Sequence, residues 1–233
     1  MKLNWFFYRI LNKLQMSSNF GRTSYSQCGE DLIVRSVFDF LQIPSPIYLD
    51  VGAHHPILLS NTYLFYKQGA HGINIEPDPV LFGAFPKQRK RDTNINIGIA
   101  DQEDELPFYV MSAPALNTFS EAEAQAVVAQ GRFNVERVIS VKVRPINLVL
   151  HEALHSLPLD FFSIDAEGMD FKILSSMDFT RWRPKVICVE TITYSEANKG
   201  EKITKIADLL QDLGYSVYAD THINTIFVDS FVC

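Results

Sequence analysis

The chain is short of cysteine, basic charge, glycine motifs and long apolar runs, and each shortage removes a class of function. Its three cysteines, Cys28, Cys188 and Cys233, stand far apart. That odd, wide spacing offers neither a disulfide framework nor a zinc-ligand set, so no metal site is read from it. A reducing, cytoplasmic setting is the simpler expectation. Cys188 lies in an apolar run and reads as a small buried hydrophobe. Basic residues are outnumbered: 21 Lys and Arg face 27 Asp and Glu, for a net charge of −6. An acidic chain lacks the footprint needed for sequence-independent binding of nucleic acid, so no nucleic-acid partner is expected. No apolar stretch is long enough to span a bilayer. Repeats and low-complexity tracts are missing too. The G-x-G-x-x-G cradle of dinucleotide-binding sheets does not occur, which argues against a nicotinamide-dependent oxidoreductase.

What is present is a core. Of 233 residues, 47% are hydrophobic, enough to bury most of the surface a chain of this size exposes when unfolded. Strand-like and helix-like stretches alternate. Ile47–Val51, Gly72–Glu76 and Asn94–Ala100 read as strands. The intervening Ser60–Tyr66 and Asp78–Arg89 read as helices, with Asp78 as an N-cap. Beyond them, Glu105–Val110 and Arg137–Val143 read as extended, and Glu121–Ala129 and Ile146–Leu154 as helical. The pattern resumes with a strand at Asp160–Asp165, a helix at Phe171–Met177 and a strand at Val186–Glu190. An amphipathic helix at Glu201–Leu213 follows. Tyr215–Ala219 and Ile223–Val228 close the chain as a hairpin. Such alternation specifies a mostly parallel sheet covered on both faces.

The first 20 residues differ. They carry Lys2, Arg9 and Lys13 with no acid, and Trp5, Phe6, Ile10 and Leu14 recur at helical spacing. Residues 1–23 are read as an amphipathic segment, and 24–233 as one domain with an insertion at about 105–145. The segment packs on its own domain or a second subunit of a homo-oligomer, or lies on a membrane surface.

Ligands of open α/β sheets bind at the carboxyl ends of the strands. Here those ends carry Asp50, Glu76, Asp101, Asp165 and Glu190. Asp50-Val-Gly-Ala-His54 follows the first strand, and Gly52 allows close backbone approach or a positive φ. Glu76 can accept both hydroxyl hydrogens of a ribose. Asp165 and Glu167 emerge where a core strand meets solvent. Either they orient an acceptor and draw its proton, or they cap a helix. His54 and His55 are the other proton acceptors on this rim.

Several short stretches together resemble the FkbM-type methyltransferases. They are Ser26-Gln-Cys-Gly-Glu-Asp31, Tyr48-Leu-Asp-Val-Gly-Ala-His-His-Pro56, Ser60-Asn-Thr62, Gly72-Ile-Asn-Ile-Glu-Pro77, Phe162-Ser-Ile-Asp-Ala-Glu-Gly168 and Val189-Glu190. The resemblance covers roughly residues 24 to 229. It implies a Rossmann-like class I fold that binds S-adenosyl-L-methionine (SAM), with a mostly parallel seven-stranded sheet ending in an antiparallel hairpin. It also implies methylation of a hydroxyl on a small molecule, sugar, glycolipid or polyketide. By position, Asp50 and Gly52 would line the methionine end of SAM, and Ala53 and Asn61 would also belong to the cofactor site. Glu76 would hold the ribose, and Asp101 would lie near the adenine. Gln27 and Glu30 would belong to an N-terminal element closing over the cofactor. Asp165 and Glu167 would face the transferred methyl. The looser match Asn117-Thr-Phe-Ser120 has no assigned role, and the pattern names no catalytic base. The rival to an enzyme is a non-catalytic member that keeps the fold and binds a partner. Such a module has no need of the Asp50, Gly52 and Glu76 set.

Overall fold

Consecutive apolar residues leave a strand no polar face, so it must be covered on both sides. The computed structural model, which describes residues 21–192 and 200–232, places four such strands side by side. They are β1 (Tyr48–Val51), β2 (Gly72–Ile75), β7 (Phe161–Ile164) and β8 (Val186–Glu190). All pair in parallel, β1 lying between β2 and β7. β3 (Thr93–Ile95) extends one edge. At the other, β10 (Asn224–Asp229) runs antiparallel between β8 and β9 (Tyr215–Asp220). The order is β3-β2-β1-β7-β8-β10-β9. Strand order reverses at β1, where a site in such a sheet is expected.

Two layers of side chains cover this sheet. On one face α1 (Glu30–Phe40) and α2 (Tyr63–Lys67) pack Val34, Val37, Phe38 and Phe65 against Tyr48, Phe161 and Cys188. Cys188 is fully buried, as its apolar setting predicts. On the other face lie α6 (Ile146–Leu154), α7 (Asp170–Ser176) and α8 (Thr204–Asp212), which bury Val149, Leu150, Ile173, Leu174, Ile206 and Leu210.

Two sequence expectations need correction. Asn94–Ala100 is not one strand. β3 ends at Ile95, and β4 (Gly98–Ala100) joins a separate sheet of order β4-β6-β5 with β5 (Asp104–Met111) and β6 (Val135–Pro145). The turn between them is fixed by Asn96, whose amide donates to the carbonyls of Glu76 and Pro77 at 2.7 and 3.0 Å. Nor is Asp78–Arg89 one helix. It is two short ones, α3 (Pro79–Phe82) and α4 (Phe85–Gln88). Pro86 has no N–H to continue a ladder, so the helix restarts there. Asp78 does cap α3, accepting from Val80 N at 2.8 Å. β5, β6 and α5 (Glu121–Ala129) occupy the stretch read from the sequence as an insertion at about 105–145, while β4 precedes it. No helix among the described residues is long and apolar enough to cross a membrane. The expected amphipathic helix of residues 1–20 lies outside the described residues.

Candidate active site

Gly52 sets the geometry at the end of β1. Its φ is +74°, and a Cβ there would lie 1.8 Å from the carbonyl oxygen of Asp165. Only glycine lets the β1 and β7 ends approach this closely. Gly52 and Ala53 both donate their N–H to the carbonyl of Ile75 at 3.0 Å. Three strand ends are therefore tied together, and a cavity of about 310 Å³ opens over them. That is within the size range of small-molecule sites.

Asp50, Gly52, Ala53, His54, Asn61, Glu76, Asp165, Glu167, Glu190 and Gln27 all line the cavity. Four of the five acids expected at strand ends therefore converge. Asp101 does not. It follows β4 rather than β3, so it is carried away with the small sheet, lies exposed, and pairs with Lys172 at 3.0 Å. Glu30 is also absent from the wall. It is fully buried behind it, accepting from Thr221 Oγ1 at 2.7 Å and Asn224 Nδ2 at 3.1 Å. Glu30 thereby fastens the Gln27 loop to the β9–β10 turn, whose His222 and Ile223 do reach the cavity. His55 is structural. Its Nδ1 accepts from the N–H groups of Ile57 and Leu58 at 3.1 and 2.9 Å, which caps a turn.

Glu76 is held on both oxygens. Oε2 accepts from His54 N and Oε1 from Asp78 N, each at 2.7 Å. Each oxygen keeps acceptor capacity for a ligand hydroxyl. Burial pushes its carboxyl up to about 8 against the pull of those two N–H groups. Asp50 is also buried and raised by desolvation. Thr62, which donates to its Oδ2 at 2.7 Å, opposes that rise, as does the charge of Arg89. Burial and then His55 lower His54, favouring its neutral form, and its Nδ1 is buried with no partner.

One end of the cavity is acidic. Ligand oxygens of Asp165, Glu167 and Glu190 lie within 4.8 Å of one another. That spacing would let the three share one cation, whether a metal or a positively charged ligand group. Burial and then the neighbouring carboxylates push all three upward. Asp165 Oδ1 is buried and unpartnered. Neither Asp165 nor Glu167 caps α7. The N-cap position is Met169, which makes no side-chain cap, and Asp170 instead accepts from Ala166 N in the preceding turn at 2.8 Å.

A β-sheet of this order, with its antiparallel penultimate strand and an acid-rimmed cavity at the reversal point, defines a class I methyltransferase fold. The family model for the methyltransferase FkbM domain matches residues 50–217, and the chain belongs to that family. No curated relative is found by sequence. Among solved structures, a TehB-like SAM-dependent methyltransferase from Corynebacterium glutamicum shares 10% identity, with 97% of each chain covered and a TM-score of 0.42. Precorrin-6y C5,15-methyltransferase from Geobacter metallireducens shares 16%, covering 83% of this chain and 86% of that one, at 0.40. The 1,6-didemethyltoxoflavin-N1-methyltransferase of Burkholderia thailandensis, solved with S-adenosylhomocysteine (SAH), shares 9%, covering 97% and 88%, at 0.40. At these scores they carry no weight about substrate, and the assignment rests on the family match and the sheet.

Proposed function

We propose that this SAM-dependent methyltransferase is an O-methyltransferase acting on a hydroxyl of a small molecule, sugar, glycolipid or polyketide. The observation that carries this reading is the meeting of Glu76 and Asp165 in one cavity. Glu76 is a ribose acceptor with lone pairs to spare, and Asp165 has a buried oxygen without a partner. Asp165 Oδ1 and His54 Nδ1, buried without protein partners, fit a polar ligand group in the cavity, since buried polar atoms are normally satisfied. SAM supplies an electrophilic methyl on a sulfonium. The chain's own contribution is to position and to move one proton. Asp50 and Gly52 hold the methionine end, and Glu76 accepts from the ribose hydroxyls. Asp165, on the end of a rigid strand, takes the acceptor's proton, with His54 as the second candidate. Glu167 and Glu190 would offer carboxyl oxygens to the cofactor's cation, whose charge would draw them back from the neutral form that burial favours.

Calorimetric titration is expected to show binding of SAM and SAH and none of NAD. Glu76→Ala removes an acceptor from two hydroxyls. Its SAH affinity should fall by about 3 kcal/mol, roughly a hundredfold. Asp165→Asn keeps the shape and should leave SAH affinity near wild type, while turnover with an acceptor found in a labelled-SAM screen falls at least about tenfold. Equal SAH affinities for the two variants would contradict the assignment. So would full turnover by Asp165→Asn beside a dead His54→Ala.

The pH profile has a definite sign. A base acts in its ionised form. Burial and the other carboxylates raise Asp165, so turnover should climb with pH above the ordinary carboxylate range. Asp165→Asn should lose that rising limb. A limb that persists unchanged would move the base to another group.

A further inference from the structure

The insertion reaches back to the cavity through Asn117-Thr-Phe-Ser120. Two side chains there are buried, polar and directed out of the small sheet. Asn117 Oδ1 accepts from Met111 N at 2.8 Å, which fixes the amide to β5, and its Nδ2 donates to Asp78 Oδ2 at 3.0 Å. Asp78 N in turn donates to Glu76 Oε1. Thr118 pairs its backbone with Tyr109 in both directions, at 2.9 and 3.2 Å. Its Oγ1 donates to the carbonyl of Glu167 at 2.8 Å. Phe119 anchors the pair, its ring 4.7 Å from that of Phe108.

Glu167 needs such a hold. Its φ is +42°, followed by Gly168 at +90°. A glutamate in the left-handed region persists only where its surroundings over-determine it. The Thr118 hydroxyl grips the carbonyl of that residue. Asn117 grips the residue that donates to Glu76. One short segment of the insertion therefore governs two acids through two separate hydrogen bonds.

We propose that Asn117 and Thr118 are positioning residues with separate targets: Asn117 sets Glu76 at the ribose through Asp78, and Thr118 sets Glu167 at the methyl-transfer end. The inference rests on the cofactor reading given above. Neither residue takes part in the chemistry. The insertion thus belongs to the cofactor site. A merely structural role would weaken all ligands together. Positioning with separate targets makes the two variants differ: disturbing Glu76 at the shared ribose weakens both ligands, and disturbing Glu167 changes their ratio.

Two probes make the split visible. SAH lacks the methyl and its charge. Sinefungin carries a protonated amine in place of the methylsulfonium, so it senses the carboxylates at the transfer end. Calorimetry on the full chain measures both. Asn117→Asp turns a donor to Asp78 into a like charge. It should weaken SAH and sinefungin alike by about tenfold. Adding Asp78→Asn restores a donor facing an acceptor and should recover most of that loss. Thr118→Val keeps shape without the hydroxyl. It should leave SAH within about twofold and change the sinefungin-to-SAH affinity ratio by about threefold or more. Thr118→Ser keeps the hydroxyl and should match wild type.

Wild-type binding of SAH with both single variants unchanged would overturn this inference alone. Parallel losses in both variants, without rescue by Thr118→Ser or by the reciprocal pair, would also overturn it. Failure of the wild type to bind SAH would remove the cofactor reading, and this inference with it.

Discussion

Gly52→Ala is expected to abolish measurable binding of SAH and to lower the melting temperature. The reason is local and severe. The backbone has φ +74°, and the added methyl would sit 1.8 Å from a backbone oxygen of Asp165. No flexible side chain can move out of the way. A left-handed non-glycine residue costs roughly 1–2 kcal/mol, and overpacking adds typically about 1–3 kcal/mol. Together that is about 2–5 kcal/mol. At roughly 2–4 °C per kcal/mol for a chain of this size, the melting temperature should fall by roughly 4–20 °C. The β1 and β7 ends must separate to relieve the clash, and those ends carry Asp50 and Asp165. Cofactor binding therefore fails even in the fraction that stays folded. A thermal melt and an SAH titration on the same preparation test both halves. An alanine variant that binds SAH like wild type would show that the two strand ends are not held together as described.

Gly52 was legible in the sequence, and the contrast with what was not is informative. Strands β1, β2, β7 and β8 are short apolar runs, and each expectation fell within a residue or so of the observed limits. Helices α5 and α6 match their expected limits because their caps and flanks are local. Ser120 caps α5 by accepting from Glu123 N, and α6 begins straight after Pro145. The acids at the strand ends were readable because strand ends were readable. Asp101 was not, because Ile95, Ile97 and Ile99 continue the alternation straight through a break between two sheets. That break is made by Asn96 bonding to the Glu76 turn, a contact that strand periodicity does not express. Helix α1 was within reach, since Val34, Val37 and Phe38 have helical spacing. Pro86 likewise marks the restart between α3 and α4. His55 shows a third limit of the sequence. Neighbouring histidines look alike in sequence, but one backbone turn sends His54 toward the cavity and makes His55 a cap.

Arg89 had no signal, yet removing it is expected to be the most destabilising single change in the site's foundation. An arginine within the basic run Lys87-Gln-Arg-Lys-Arg91, at the end of a predicted helix, reads as solvated. In the fold it is completely buried. Its Nε donates to Asp92 at 2.7 Å, and Nη1 donates to the carbonyl of Pro56 at 3.0 Å. Nη2 reaches Tyr48 Oη at 3.0 Å and Thr62 Oγ1 at 2.9 Å. Partners from positions 48, 56, 62 and 92 meet only after folding, so no spacing in the chain announces them. Breaking one side of a buried ion pair typically costs about 3–5 kcal/mol, because the other charge stays behind unpaired. Arg89→Leu should therefore lower the melting temperature by roughly 6–20 °C. The effect should reach the cofactor too. Arg89 donates to Thr62, which donates to Asp50, and the guanidinium charge opposes the rise that burial imposes on Asp50. Without it Asp50 is protonated more readily, so SAH affinity should fall in the folded fraction and recover partly at higher pH. Asp92 keeps hydrogen bonds from Tyr48 Oη, Gly72 N and Asn74 Nδ2 but loses its counter-charge, so Arg89→Leu combined with Asp92→Asn should regain only a small part of the stability and none of the SAH affinity. Equal stability of the single and double variants would show that Asp92 is not left uncompensated. Wild-type SAH binding by Arg89→Leu would disconnect the guanidinium from Asp50.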